Sequence, residues 1–264
     1  MPTAIITNAR LASGATAAML CLSLVAAAEP MGRLPGGRQH RILSADQPPG
    51  MVGQARLAGR GAVAGYFQPV AVVGPPGAKF ALPIGSAMSD ASPLLTAGLL
   101  VGGVYRFQIT EIPGAEGAEL FPTIEVIDRT YPPPGLATRF PIQIVLDQED
   151  FDAAINGQLV TRVIYLEDPQ TATPQVQTTD TNRPLEISED QDALEVADAL
   201  GRPVAIVRIG SLAPPSSPAL LPEFFFGYPV WAPIVYPESD SPVASSSSVL
   251  SSSVPTSSEP SIQP

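Results

Sequence analysis

Hydrophobic and polar positions alternate most cleanly over residues 104–110, where Tyr105, Phe107 and Ile109 face one way and Arg106, Gln108 and Thr110 the other. A period of two sends neighbouring side chains to opposite faces of a strand, so this stretch predicts a strand with one buried face. Apolar runs at Phe67–Val73 and 78–82 flank Gly74, Pro75, Pro76 and Gly77 and predict two strands around a turn. Residues 120–127 predict another, with Pro122 marking an edge or a bulge. Further strands are expected at 140–146, 159–166, 185–187 and 203–209.

Two short helices fall between these strands. Asp147 caps the first, which runs to Asn156, and Gly157 ends it in the left-handed conformation. Ser188 opens the second, with Gln191 three residues on, the spacing of a capping box. That helix runs to Leu200 and stops at Gly201, so helix, glycine and apolar strand occur twice. Tyr131, Pro132, Pro133, Pro134 and Gly135 form a stiff loop of polyproline type. Residues 168–183 are polar, carry no period and predict a long loop.

The pattern predicts a mainly β fold, an immunoglobulin-like β-sandwich with two short connecting helices. The alternative is an α+β domain with both helices on one face of a sheet. Around it the texture changes. Arg10 precedes an uncharged Ala/Leu-rich run, 11–28, that ends in Ala26, Ala27 and Ala28. A basic start, a short apolar run and small residues at its end predict a signal peptide over 1–28. Residues 29–62, rich in Gly, Pro and Arg, predict a disordered linker; 63–211 form the β-rich globular domain. Residues 212–237 are a Pro/aromatic segment, and 238–264 a disordered Pro/Ser-rich tail. The run 94–104 is too short to span a membrane and is interrupted by Gly98, Gly102 and Gly103. The expected destination is therefore outside the cytoplasm (periplasm, cell surface or medium), with no membrane span after signal cleavage.

Composition narrows the chemistry. The net charge is −11 and Lys79 is the only lysine, which argues against nucleic acid as a partner. Cys21 lies in the signal, so the processed chain has no thiol for a disulfide, a nucleophile or a metal. The single histidine, His40, sits in the expected linker. Asp147, Glu149, Asp150 and Asp152 lack calcium-loop spacing and fit a helix start, as do Glu186, Glu189, Asp190 and Asp192. Glu111, Glu116, Glu119, Glu125 and Asp128 supply carboxylates for glycoside hydrolysis if two of them converge. The glycines between Gly59 and Gly65 have the wrong spacing for a nucleotide loop, and Pro69 blocks the helix that should follow. No catalytic residue, cofactor or metal site is assigned.

One feature points to partners. Phe224, Phe225, Phe226, Tyr228, Trp231 and Tyr236 crowd between Pro222 and Pro237. Such a segment either docks into a partner groove or folds back over an apolar patch of its own domain. With Tyr131 beside its proline loop, these are the candidate partner-binding residues.

Several stretches together resemble a family. They are Gly103-Val104-Tyr105-Arg106, the run from Glu119 to Arg129, Tyr131 to Gly135, Val163 to Pro169, and Val196 to Pro203. The chain resembles, over about residues 66–210, exported proteins of unknown function from planctomycete-type bacteria. The resemblance implies export and a shared fold, and it assigns no reaction. Three classes of function stay open: a non-catalytic binding or structural module of the cell envelope, with an envelope protein or glycan as partner; a carbohydrate-active enzyme or carbohydrate-binding accessory domain; and an assembly factor that offers a sheet edge.

Overall fold

The longest apolar runs become the middle of a sheet that is covered on both faces. The computed structural model describes residues 3–10 (backbone only), 43–59, 63–168, 184–188 and 190–234, all within one unit, Met1–Ile234. The first strands are β1 (Thr3–Arg10), β2 (Phe67–Val73), β3 (Lys79–Ala81), β4 (Pro83–Ile84), β5 (Ala87–Met88), β6 (Leu94–Leu100) and β7 (Val104–Arg106). There follow β8 (Gln108–Thr110), β9 (Thr123–Val126), β10 (Ile142–Val145), β11 (Leu159–Glu167), β12 (Leu185–Glu186), β13 (Gly201–Ile209) and β14 (Trp231–Pro233). The helices are α1 (Met51–Ala58), α2 (Gln148–Ile155), α3 (Ala193–Leu200) and the single turn α4 (Leu221–Phe224).

Six strands form one sheet in the order β12-β1-β11-β13-β9-β7, and four form another, β10-β2-β6-β14. Val70 and Val72 of β2, Leu99 of β6 and Ile142 and Ile144 of β10 share a core with Ile124 of β9, Ile164 of β11 and Val207 of β13. The two sheets therefore face each other, and the fold is mainly β, as the alternation predicts. On the far face of the larger sheet, Val163, Tyr165 and Ile206 pack against Leu194 and Ala197 of α3 and Val52 of α1. Burial on both faces explains why β11 and β13 read as continuous apolar runs.

The structure departs from the expectations in definite places. The strand at 104–110 keeps its alternation, with Tyr105, Phe107 and Ile109 buried. It breaks at Phe107, so that β7 pairs with β9 and β8 with β3. The expected linker 29–62 is corrected over its described part: residues 43–59 hold a turn and α1, packed on the sheet. No side chain caps α1, which starts after Gly50 in the left-handed region (φ 96°). Its anchors are distant in sequence: Gly53 N–H donates to Glu125 Oε1 at 2.7 Å, and Arg56 Nη2 to Asp128 Oδ2 at 2.8 Å. The second predicted helix starts four residues later than Ser188. Asp192 caps it, accepting from Leu194 and Glu195 N–H at 2.8 and 3.0 Å. The same carboxylate accepts from Ser44 Oγ, so the cap also fastens the 43–47 turn, which outweighs the local capping-box spacing.

Gly201 begins β13 where two strands nearly touch; a Cβ there would stand 2.1 Å from the Leu166 carbonyl oxygen. Strand β1 falls inside the expected signal peptide, and all eight of its residues pair with β11, from Thr3 opposite Leu166 to Arg10 opposite Leu159. The apolar run 11–28 with Cys21, His40, most of the loop 168–183, Glu189, Tyr236 and the tail lie outside the described residues. Among the described residues no helix is long and apolar enough to cross a membrane.

Candidate functional site

Four polar side chains stand in one row across the outer face of the larger sheet. Arg106 of β7 is opposite Thr123 of β9, Thr123 is opposite Arg208 of β13, and Arg208 is opposite Thr161 of β11. Because register places residues from separate strands side by side, four segments remote in sequence become one polar floor. The row lies in a cleft of about 350 Å³. The 45–49 turn, Phe121, Leu159 and Leu212 wall it.

The two arginines are in different electrostatic states. Arg208 is held on every side: Nη1 donates to Glu125 Oε2 at 3.0 Å, Nε to the Ala45 carbonyl at 3.3 Å and Nη2 to the Gln47 carbonyl at 3.2 Å. Glu125 is fully buried and takes its second hydrogen bond from Gly53 at the start of α1, where the helix dipole also favours a carboxylate. This pair is neutral and fixes the turn that walls the cleft.

Arg106 has no such partner. Its Nη1 donates to the Phe224 carbonyl at 2.6 Å, and its guanidinium lies 4.1 Å from the centroid of the Phe224 ring and 5.0 Å from that of Phe226. Its Nε is buried without a hydrogen-bond partner, as is Gln47 Oε1 on the facing turn. Among the described residues no carboxylate lies within 4 Å of it. Partial burial lowers its pKa from the ordinary arginine value, but arginine remains a cation in proteins, so Arg106 brings a half-buried positive charge to the site. The ring faces offset part of that desolvation.

The aromatic candidates fold onto their own domain. Phe224 and Phe225 are buried with Phe121, ring against ring at 5.6 and 6.4 Å and edge-on, and Tyr228 stacks on Phe225 at 5.6 Å. Trp231 adds a strand beside β6 and donates Nε1–H to the Pro83 carbonyl at 3.0 Å. Phe226 keeps 37 % of its surface in solvent. Tyr131 stands apart, 56 % exposed, with the guanidinium carbons of Arg129 and Arg202 at 4.4 and 4.7 Å from its ring centroid.

The carboxylates considered for catalysis are mostly engaged. Asp128 pairs with Arg56 at 2.8 Å and Arg202 at 3.0 Å, and Glu111 with Lys79 at 2.8 Å. Asp147 and Asp150 form a reciprocal capping box at the start of α2 and share Arg162. Burial pushes the Asp150 carboxyl up to about 6, against the pull of Arg162. Among the described residues no group of three His, Cys, Asp or Glu side chains is placed to hold a metal.

Arg106, Arg208, Thr123, Thr161 and Gln47 were not among the sequence candidates. Only the polar face of the 104–110 alternation pointed to any of them. Compared with known proteins, the chain matches no family model, no curated protein and no solved structure.

Proposed function

We propose that the protein is an exported, non-catalytic binding module of the cell envelope, and that its binding surface is the arginine-lined cleft. The observation that carries this reading is Arg106, an arginine in the cleft wall that no carboxylate among the described residues approaches within 4 Å. The facing sheets support a sandwich of immunoglobulin-like kind, distinguished by the parallel pairs β10–β2 and β1–β12 and by its helical outer layer. Kinship with the exported planctomycete-type proteins belongs to the same proposal.

The test is affinity capture from the source cell's envelope fraction with the wild type and with Leu212→Trp. Leu212 is 60 % exposed at the cleft, so a larger ring fills the space without entering the core. Capture lost in the variant supports the reading; equal capture moves the binding surface elsewhere. Export is checked by the N-terminal residue of the protein recovered outside the cytoplasm, expected to be Glu29. Removal of 1–28 takes β1 with it and opens the edge of β11. A glycan-binding reading is favoured by one observation, the exposed ring of Tyr131. Loss of binding on a glycan array in Tyr131→Ala, with Leu212→Trp unaffected, would favour it.

A further inference from the structure

We propose that, once residues 1–28 are removed, β12 moves one place inward and pairs with β11, closing the edge that β1 leaves. This rests on the removal of 1–28, which belongs to the export reading. In the full chain β1 pairs with β11 along all eight of its residues, and β12 joins the sheet through β1. Loss of β1 leaves β11 with a row of unpaired backbone N–H and C=O groups beside Val163, Ile164 and Tyr165, all buried in the full chain. An open edge of that kind is a template for another strand.

Direction, connection and face all select β12. It runs parallel to β1, and β1 runs antiparallel to β11, so β12 already has the direction that β11 accepts. It is also the next strand along the chain, joined to β11 by residues 168–184, so the product is a hairpin of consecutive strands. In the full chain β1 stands between the two arms of that hairpin. A tethered strand meets the edge at an effective concentration of order millimolar, which a strand from a second copy or a partner has to exceed. A move that keeps the register sets Leu185 opposite Val163, because Ile6 faces both of them, and Ile187 opposite Thr161. Leu185 and Ile187 share a face by alternation. Ile187 already packs against the cluster of Val163, Tyr165 and Leu194, while Leu185 is 47 % exposed. A step of about 5 Å, one strand spacing, brings Leu185 to the same cluster. Asp192 keeps the start of α3 on Ser44, so the step needs only the residues before it. Closure also keeps this edge from pairing with other chains.

The test is a pair of cysteines, Val163→Cys with Leu185→Cys, in a chain that also carries Cys21→Ser and so has no other thiol. The protein is produced in an exporting bacterium. Processed protein from outside the cytoplasm and full chain from inside it are purified, reduced and then oxidised alike. In the full chain the two positions flank Ile6, about 10 Å apart across two strand spacings and beyond the reach of a disulfide. In the processed chain they are expected opposite each other at about 5 Å, so the disulfide within one chain should form about tenfold faster or more. Thr161→Cys with Ile187→Cys repeats the measurement where the first pair fails to fold. The processed protein should also be a monomer, with the β11 amides as protected from hydrogen exchange as in the full chain.

Equal cross-linking in the two forms overturns the proposal. So does a processed monomer whose β11 amides exchange freely, which is an edge left open. A processed dimer in which those amides are protected overturns it too, the edge then being shared between two copies. In each of these cases the protein outside the cytoplasm still begins at Glu29, and the export reading stands. If every molecule recovered keeps residues 1–28, the export reading falls and the proposal falls with it.

Discussion

Arg162 and Arg106 both project from sheet strands into partly dry surroundings, and they are treated in opposite ways. Arg162 reaches Asp150 at 2.6 Å, Asp147 at 2.5 Å and the Val145 carbonyl at 3.2 Å. In this corner, closed by the capping box of α2, each nitrogen of the guanidinium has an acceptor. Arg106 has a carbonyl and two ring faces, and one donor left over. The contrast separates an arginine tied to two carboxylates from one held by a carbonyl and two ring faces. Arg162 is buried and Arg106 half-buried, and their partners differ as well.

That contrast can be broken by mutation. Arg162→Met should cause the largest loss, about 3–5 kcal/mol in urea unfolding, because it strands the buried Asp150. A loss under about 1 kcal/mol would mean the corner is not a closed network. Phe224→Ala removes a ring from the aromatic cluster and should cost about 3 kcal/mol, with Arg106 losing its nearest ring face as well.

A gentler probe is pH. The Asp150 carboxyl titrates near 6 in the folded chain against an ordinary value of 3.8, so the native state binds the proton more tightly. Its penalty is complete above pH 6 and is relieved as pH falls toward 4, the reverse of a carboxylate stabilised by its ion pair. The stability of wild type relative to Asp150→Asn should therefore rise on acidification from pH 7 to 4. A flat or falling difference would place burial below Arg162 in importance. The smallest effect is expected at Arg106→Met, about 1 kcal/mol from one lost hydrogen bond and weakened ring contacts. A loss as large as that of Arg162→Met would erase the distinction between the two arginines.

Local pattern carried much of this fold into view. The strand at Phe67–Val73 and the helix capped by Asp147 and stopped by Gly157 follow from alternation, capping and a left-handed glycine. Helix α1 was hidden because its 43–59 surroundings have no period and no local cap; Glu125 and Asp128, some seventy residues on, hold it. Strand β6 was hidden because Leu94–Leu100 reads simply as an apolar run, and pairing with β2 decides its form. The aromatic crowd at 224–231 was visible, but Phe121, the ring on which Phe224 and Phe225 settle, lies a hundred residues upstream. The cleft was least legible of all. Arg106, Thr123, Arg208 and Thr161 are neighbours only through strand register, which no single segment encodes.

The chain has one tryptophan, and the fold places it on the three-residue strand β14. Tyr105 accepts from Leu100 N–H on β6 and donates to the Val230 carbonyl beside Trp231, so the indole is held by contacts that exist only while this C-terminal stretch is seated. The same stretch supplies, seven residues earlier, the carbonyl and the ring that hold Arg106. Indole emission is thus a built-in optical gauge of that seating. Undocking would expose the ring to water and shift its light to longer wavelength. A single fluorophore, without any label, can follow the element that keeps the cleft's charge in place.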